Sequence, residues 1–95
     1  MKMFIDTHDK ATGTFPAGLS RLDLAAFYRN YLDACREEGV VNLRIHTGLD
    51  DGRAFCVNLA PDAEAVRRVH ARAGLPFDQI TEVNSISSFD LFPAA

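Results

Sequence analysis

The stretch Met3-Phe4-Ile5-Asp6-Thr7-His8-Asp9 is the part of the sequence from which the fold can be built outward. Its residues alternate in the manner of a β-strand, because strand side chains point to opposite faces with a period of two. Met3 and Ile5 give one apolar face, whereas Asp6 and His8 lie on the other. An acid and a histidine on one strand face need a reason, and this strand is therefore the first candidate for a site.

The sequence predicts five further elements after this strand. A helix is indicated from the N-cap Ser20 to Gly39, because apolar residues recur between them at helical spacing. An Asp-Gly turn then joins two strands, and a second helix ends at Gly74. The predicted bounds are a loop at 10–19, helix 20–39, strands 40–47 and 53–60, helix 61–74 and strand 80–86.

This order of elements predicts an α+β, ferredoxin-like βαββαβ domain over residues 1–86, with an antiparallel sheet and both helices on one face. We expect strands one and three at the centre as parallel neighbours. Residues 87–95 are a C-terminal tail that we expect to pack across a dimer.

Hydrophobicity decides which sheet face we expect the helices to cover. The apolar face, expected under the helices, carries Met3, Ile5, Val41, Leu43, Ile45, Phe55 and Val57. The face left open would then carry Phe4, Asp6, His8, Asn42, Arg44, His46, Cys56 and Asn58. An uncovered face calls for a partner, so we expect a homodimer through the open sheet face, in a dimeric α/β-barrel-like association, or a higher assembly.

Composition and charge narrow the partners and the compartment. The 95 residues carry a net charge of −3, and no basic patch indicates nucleic acid. No apolar run approaches the ~20 residues of a membrane span, so we expect no membrane partner and a cytoplasmic location. Cys35 and Cys56 form no CxxC pair, which favours two buried thiols over a disulfide or a zinc knuckle.

The strand pair Asp6 and His8 is the first metal-site candidate. Their Cα atoms should lie ~6.5–7 Å apart, so a carboxylate and an imidazole can share one divalent ion. Nickel, zinc and copper suit these donors, and no organic cofactor is indicated. Further candidate ligands are His46, Asp9 and Cys56, followed by the weaker His70 and Glu82. The alternative for each is structural, with Asp6 orienting His8, His70 in the core and Glu82 as an exposed edge acid.

Several segments resemble a small bacterial family of unknown function. They are Asp6-Thr7-His8, Phe55-Cys56, Ala60-Pro61, the helical run from Ala65 to Gly74, and Ile80-Thr81-Glu82-Val83. Members of that family include an actinobacterial nickel-binding, ferredoxin-like dimer. The resemblance implies the same dimer and surface metal sites built from histidines and acids. The chain departs from that relative at Asp9, where the relative has a second histidine.

Three function classes follow from these observations. The first is a transition-metal binding protein for storage, sequestration or sensing, with nickel implied by the resemblance. The second is an enzyme with a pocket between the open sheet face and the 10–19 loop, in which His8 and Asp6 would act as an acid–base pair. The third is an interaction module without a small ligand.

Overall fold

The computed structural model describes residues 1–94, and these contain four strands and three α-helices. In chain order the elements are β1 (Lys2–Asp9), a 3-10 turn (Lys10–Thr12), α1 (Arg21–Glu38), β2 (Val41–Gly48), β3 (Arg53–Ala60), α2 (Ala63–Ala73), β4 (Ile80–Val83) and α3 (Ser88–Leu91). The predicted α+β, ferredoxin-like order is confirmed. The last strand is shorter than predicted, and part of the tail forms α3.

The sheet has the order β2-β3-β1-β4, which places β1 and β3 at the centre as predicted. The two central strands are antiparallel, so the prediction of parallel neighbours was wrong. The reason is the β2–β3 hairpin, which makes β3 run opposite to β2. Since β1 also runs opposite to β3, β1 and β2 are the strands that point the same way.

Capping residues fix where the helices begin and end. Ser20 accepts from the Asp23 amide at the start of α1, and the Asp23 carboxylate accepts from the Ser20 amide in return. Asp62 caps α2 by accepting from the amide of Ala65. Gly39 ends α1 with a φ of 69°, a left-handed conformation that glycine adopts without steric cost. These local signals explain why both long helices were predicted correctly.

The faces of β1 and β3 are the reverse of the prediction. The helices cover the face that carries Phe4, Asp6, His8, Ala54, Cys56, Asn58 and Ala60, all of which are buried. The opposite face carries Met3, Ile5, Phe55, Val57 and Leu59, which are partly exposed. Hydrophobicity gave the wrong answer because the polar side chains of the buried face satisfy one another. Among residues 1–94, every buried side-chain nitrogen and oxygen has a hydrogen-bond partner.

A β-bulge in β2 changes which of its residues face the helices. The pairing with β3 shifts between Asn42 and Arg44, so Leu43 is the extra residue. Beyond the bulge, Ile45 packs against the core as predicted, and His46 pairs with Phe55 on the open face. Before the bulge, Asn42 pairs with the buried Asn58 and so lies on the helix-covered side.

Within residues 1–94, no helix combines the length and apolar character that crossing a membrane requires.

The reversed faces give a direct stability test. Phe4→Ala should lower the free energy of unfolding by about 3–5 kcal/mol, because Phe4 is 3 % exposed and its removal leaves a cavity. Val41→Ala is the matched control, since Val41 is 49 % exposed and should cost about 0.5 kcal/mol or less. Urea unfolding at low protein concentration measures both changes. A larger loss in Val41→Ala than in Phe4→Ala would contradict the assignment of the faces.

Candidate metal centre

The carboxylate of Asp6 lies at the centre of a buried cluster. Its Oδ1 atom is 2.8 Å from Nε2 of His8 on the same strand and 3.0 Å from Nε2 of His70 on α2. One ligand atom from each of these three residues lies within 4.8 Å of the other two. Asp6 is fully buried, and both histidines are at least nine-tenths buried. The cluster therefore joins the central strand to the second helix.

Backbone carbonyls orient both imidazole rings. Nδ1 of His8 donates to the carbonyl of Pro76 at 2.7 Å and lies 3.2 Å from that of Thr14. Nδ1 of His70 donates to the carbonyl of Val66, one turn earlier in α2, at 2.8 Å. A neutral imidazole whose proton is held on Nδ1 in this way has its free lone pair on Nε2. Metal-ligating histidines are typically oriented by such a hydrogen bond from the other ring nitrogen.

The three inward atoms need a positive species among them. A neutral imidazole with its proton on Nδ1 would direct the Nε2 lone pair at an oxygen lone pair of Asp6. Each contact therefore requires either a further proton or a metal ion. Ligands at ~2.1 Å from a metal are separated by ~3.0–3.4 Å along the edge of an octahedron or tetrahedron. The observed Nε2–Oδ1 distances of 2.8 and 3.0 Å are close to that value, so the residues fit a divalent transition metal.

Cys56 adds a thiol at the border of the cluster. Its Sγ atom is 3.7 Å from Nε2 of His8, and the residue is 4 % exposed. Burial and the charge of Asp6 raise the pKa of this thiol, so it is protonated at neutral pH in the metal-free protein. If a metal were bound here, it would displace the thiol proton to solvent, and Cys56 would then supply a soft fourth donor.

The Asn58 amide holds the second oxygen of Asp6, and further amide and phenol groups hold Asn58 in turn. Nδ2 of Asn58 donates to Asp6 Oδ2 at 3.0 Å and to the hydroxyl of Tyr31 at 2.8 Å. Oδ1 of Asn58 accepts from Asn42, and Asn42 in turn accepts from Tyr28. This chain of hydrogen bonds leaves the carboxylate little freedom to rotate, so Oδ1 stays directed at the two imidazoles.

The charges of Asp6 and His8 support each other. Burial disfavours the Asp6 carboxylate, but hydrogen bonds from His70 and His8 outweigh it and hold its pKa below the ordinary value. Burial likewise disfavours the His8 imidazolium, but the hydrogen bond and charge of Asp6 outweigh it and raise the pKa of His8. The metal-free site is therefore an ion pair held out of water.

The structure brings together only some of the predicted site residues. Asp6, His8 and Cys56 lie together, and His70, ranked among the weaker candidates, is a full member of the cluster. Asp9 lies apart from them, caps the 3-10 turn through the Ala11 amide and lies 3.3 Å from a side-chain nitrogen of Arg53.

Two further candidates, His46 and Glu82, also lie outside the cluster. Glu82 is exposed on the edge strand, 3.9 Å from the amino group of Lys2. His46 and His8 lie at the same end of the sheet, because they pair with the adjacent residues Phe55 and Ala54 of β3, but they point to opposite faces.

Asn58 and Tyr31 are the functional residues that the sequence did not single out. The period of two along β3 places Asn58 on the same face as Cys56, and an amide between apolar residues of a central strand is a usable signal. Tyr31 lies on the apolar stripe of α1, where its pattern could not be told from ordinary core packing.

A cavity of about 60 Å³ adjoins the cluster on the side of His8. Its lining is almost entirely apolar and comprises His8, Thr14, Phe15, Pro16, Leu19, Leu24, Phe27, Tyr28, Tyr31, Ile45, Ala54, Cys56 and Leu75. The 10–19 loop does cover a pocket, as the enzyme hypothesis expected. That pocket lies on the helix-covered side of the sheet, however, and not on the open face.

Comparison with known proteins places this site in a family. Residues 4–83 match the family described as nickel responsive protein SCO4226-like. The chain belongs to this family. The crystal structure of SCO4226 from Streptomyces coelicolor A3(2) is a neighbour with a TM-score of 0.76 and 30% sequence identity. The match covers 90% of this chain and 99% of the neighbour. No curated protein matches the chain.

The predicted resemblance to a small bacterial family is thereby confirmed. The matched residues 4–83 include Asp6, His8, Cys56 and His70, so the whole buried cluster lies inside the part of the chain that defines this nickel-responsive family.

The ion pair makes the stability of the metal-free protein depend on pH. The Asp6 carboxylate stabilises the fold above pH 3.8, its ordinary pKa, and this contribution is lost as the pH falls through its lower folded pKa. The His8 imidazolium stabilises the fold below pH 6.5, and this contribution is lost as the pH rises through its higher folded pKa. We therefore expect the greatest stability between about pH 4 and pH 6.5, and a decline toward pH 9.

Urea unfolding of the EDTA-treated protein at pH 6 and pH 9 measures this decline. His8→Gln should reduce the difference between the two pH values, because it removes the group that titrates. His46→Gln, on the exposed open face, is the control and should leave the difference unchanged. If the free energy of unfolding falls equally between pH 6 and pH 9 in His8→Gln and in the unmodified protein, the Asp6–His8 pair is not the cause of the pH dependence.

Proposed function

We propose that this chain binds a divalent transition-metal ion, nickel before others, through Asp6, His8 and His70. The observation that carries the proposal is the convergence of one carboxylate oxygen and two Nε2 atoms, with both Nδ1 hydrogens already held by backbone carbonyls. The role would be storage, sequestration or sensing. Turnover is disfavoured because both ring nitrogens of His8 already have partners, which leaves none to exchange protons with a substrate.

The donor set restricts the metal without choosing one. Two imidazoles and a carboxylate suit nickel, zinc and copper, and general affinity would favour copper over nickel. A thiolate from Cys56 would strengthen the preference for softer ions over magnesium or calcium. The choice of nickel is supported by the description of the family as nickel responsive.

The burial of the site supports long-term retention of a metal ion over its rapid exchange with solvent. Asp6 is 0 % and His70 is 2 % exposed, so an ion must displace protons from a dry cluster before it binds. Loops at Thr14 and Pro76 both contact His8, which makes these loops the natural route of entry. Binding would then be coupled to a local change that a cellular partner could detect.

We also propose a homodimer through the open sheet face and a cytoplasmic location. The apolar residues that remain partly exposed on that face support the dimer. They differ from the residues predicted for the open face, because Phe4 and Cys56 are buried under the helices. A dimer formed there would therefore not cover Asp6 and His8. Cys35 and Cys56 are both free thiols, which is consistent with a reducing compartment.

Metal titration of the full chain tests the buried site. Isothermal calorimetry with nickel, zinc and copper should show about one ion bound per unmodified chain. In both His8→Gln and His70→Gln the affinity should fall at least ~100-fold, because each substitution removes one donor. His46→Gln is the matched control because it removes an exposed histidine outside the cluster.

The reverse pattern would overturn this proposal. If binding persists in His8→Gln and His70→Gln but disappears in His46→Gln, the ion is held on the surface of the open face. Circular dichroism of each variant shows whether a loss of binding is only a loss of folding.

A second candidate function is the binding of a small neutral molecule in the cavity beside His8. The cavity is apolar and large enough for several water-sized groups, and dry apolar cavities take up small apolar molecules. Phe15 from the 10–19 loop and Tyr28 from α1 both line it. If the protein were an enzyme, its substrate would bind in this cavity, where His8 is the polar residue that would contact it.

Titration with benzene, followed by amide NMR, tests the cavity. The amide signals of Phe15, Tyr28 and Ala54 should shift in a saturable way. Ala54→Leu fills the cavity and should abolish the shifts while retaining a folded spectrum. Equal shifts in Ala54→Leu, or no saturable shift in the unmodified protein, would exclude a ligand site there.

A further inference from the structure

The open sheet face is apolar, and no part of residues 1–94 covers it. Its apolar side chains are Met3, Ile5, Val41, Phe55, Val57 and Leu59. Val41 is 49 % exposed, and the other five are partly exposed. Two cations flank this apolar strip, since Arg53 stacks on the ring of Phe55 and Arg44 lies on the same face.

The area of this face is too small for a stable dimer by itself. With Val41 half exposed and the other five side chains partly exposed, the strip exposes on the order of 300 Å² of apolar surface. A specific protein interface of standard size buries about 800 Å² on each partner, of which about 65 % is apolar in homodimers, which is roughly 500 Å². Sheet-to-sheet contact alone would therefore leave roughly two fifths of the apolar area to be found elsewhere.

The C-terminal segment supplies a second apolar surface that the subunit does not use. Ile86, Phe89, Leu91 and Phe92 are 64 %, 74 %, 63 % and 75 % exposed. By the same reasoning they expose on the order of 500 Å². We call residues 86–92 the arm. None of its residues is buried within the part of the chain that the structure describes.

The arm is nevertheless ordered in advance. Ser87 accepts from the amide of Asp90, and the Asp90 carboxylate accepts from the amide of Ser87, which is a complete capping box. A preformed turn loses less conformational entropy when it docks than a disordered tail would. A capped helical turn that leaves its apolar side chains mostly exposed is therefore suited to contact another surface.

The arm can reach a sheet stacked on its own. It follows β4, an edge strand whose Val83 pairs with Met3 on the open face. Residues 84–87 can extend ~13 Å, whereas the faces of two packed sheets are separated by ~10 Å. The arm of one subunit can thus pass from its own sheet edge onto the partner's sheet.

We propose that residues 86–92 form an exchanged arm, which packs Phe89 and Phe92 against the open sheet face of a second copy of this chain. The second copy does the same in return, so that each subunit contributes both a face and an arm. This inference rests on the homodimer proposed above and names the part of the chain that completes it. The arm lies outside residues 4–83, the part of the chain that matches the family, so the proposed assembly element is additional to the matched region.

Sedimentation velocity over a dilution series of the full chain tests the arm. Phe89→Ser/Phe92→Ser should weaken dimer formation at least ~tenfold, because each ring loses its burial against the partner. Leu22→Ser is the matched control, since Leu22 is 82 % exposed on α1 and belongs to neither surface. Val57→Asp, in the middle of the open face, should abolish the dimer whether or not the arm takes part.

The outcomes separate the arm from the dimer and from metal binding. If Val57→Asp abolishes the dimer but Phe89→Ser/Phe92→Ser associates like the unmodified chain, the arm proposal is wrong and the sheet dimer stands. A chain that is monomeric at every concentration overturns both. Nickel stoichiometry should be unchanged in Phe89→Ser/Phe92→Ser, because the arm is remote from Asp6.

Isotope-filtered NMR on a mixture of labelled and unlabelled chains shows where the arm packs. Contacts between the rings of Phe89 and Phe92 and the methyl groups of Val57 and Leu59 should cross between chains. Contacts found only within one chain would mean that the arm folds back on its own sheet, which contradicts exchange.

Discussion

Asp6 is 0 % exposed, and its carboxylate is hydrogen-bonded to two imidazoles and an amide. The need to keep this buried charge paired determines how the layer between the sheet and the helices is arranged. A buried charge without partners would cost several kcal/mol, so His8, His70 and Asn58 must all be in place when the protein folds. These partners come from β1, α2 and β3. The requirement explains why the helices lie over the more polar face of the sheet. The same convergence of donors gives the protein its candidate metal centre.

The secondary structure could be predicted from the sequence because its signals are local. Ser20 with Asp23, and Gly39, mark the two ends of α1 within a few residues of the chain. The face of β1 could not be predicted in the same way. Its choice depends on Asn58 and His70, which are distant in sequence, so a rule based on hydrophobicity placed Asp6 on the wrong side. The prediction of parallel central strands was wrong because the hairpin reverses β3 relative to β2, and β1 points the same way as β2.

The candidate site was predictable only where one strand contained it. The period of two placed Asp6 beside His8, and the structure confirms that they are in contact. His70 joins them 64 residues later in the chain, a contact that only the packing of α2 creates. His46 shows the converse, since it lies at the same end of the sheet as His8 but on the other face. The link to nickel comes from the description of the family, because no spacing of residues in this chain specifies a metal.

In the proposed function, the Asp6 cluster holds the metal inside the subunit. Anomalous diffraction at the nickel edge, from crystals of the nickel-loaded full chain, locates the ion directly. We expect a peak ~2.1 Å from Nε2 of His8 and of His70, with a carboxylate oxygen of Asp6 at a similar distance. Anomalous peaks confined to the surface, with both Nε2–Oδ1 hydrogen bonds intact at 2.8 and 3.0 Å, would contradict it.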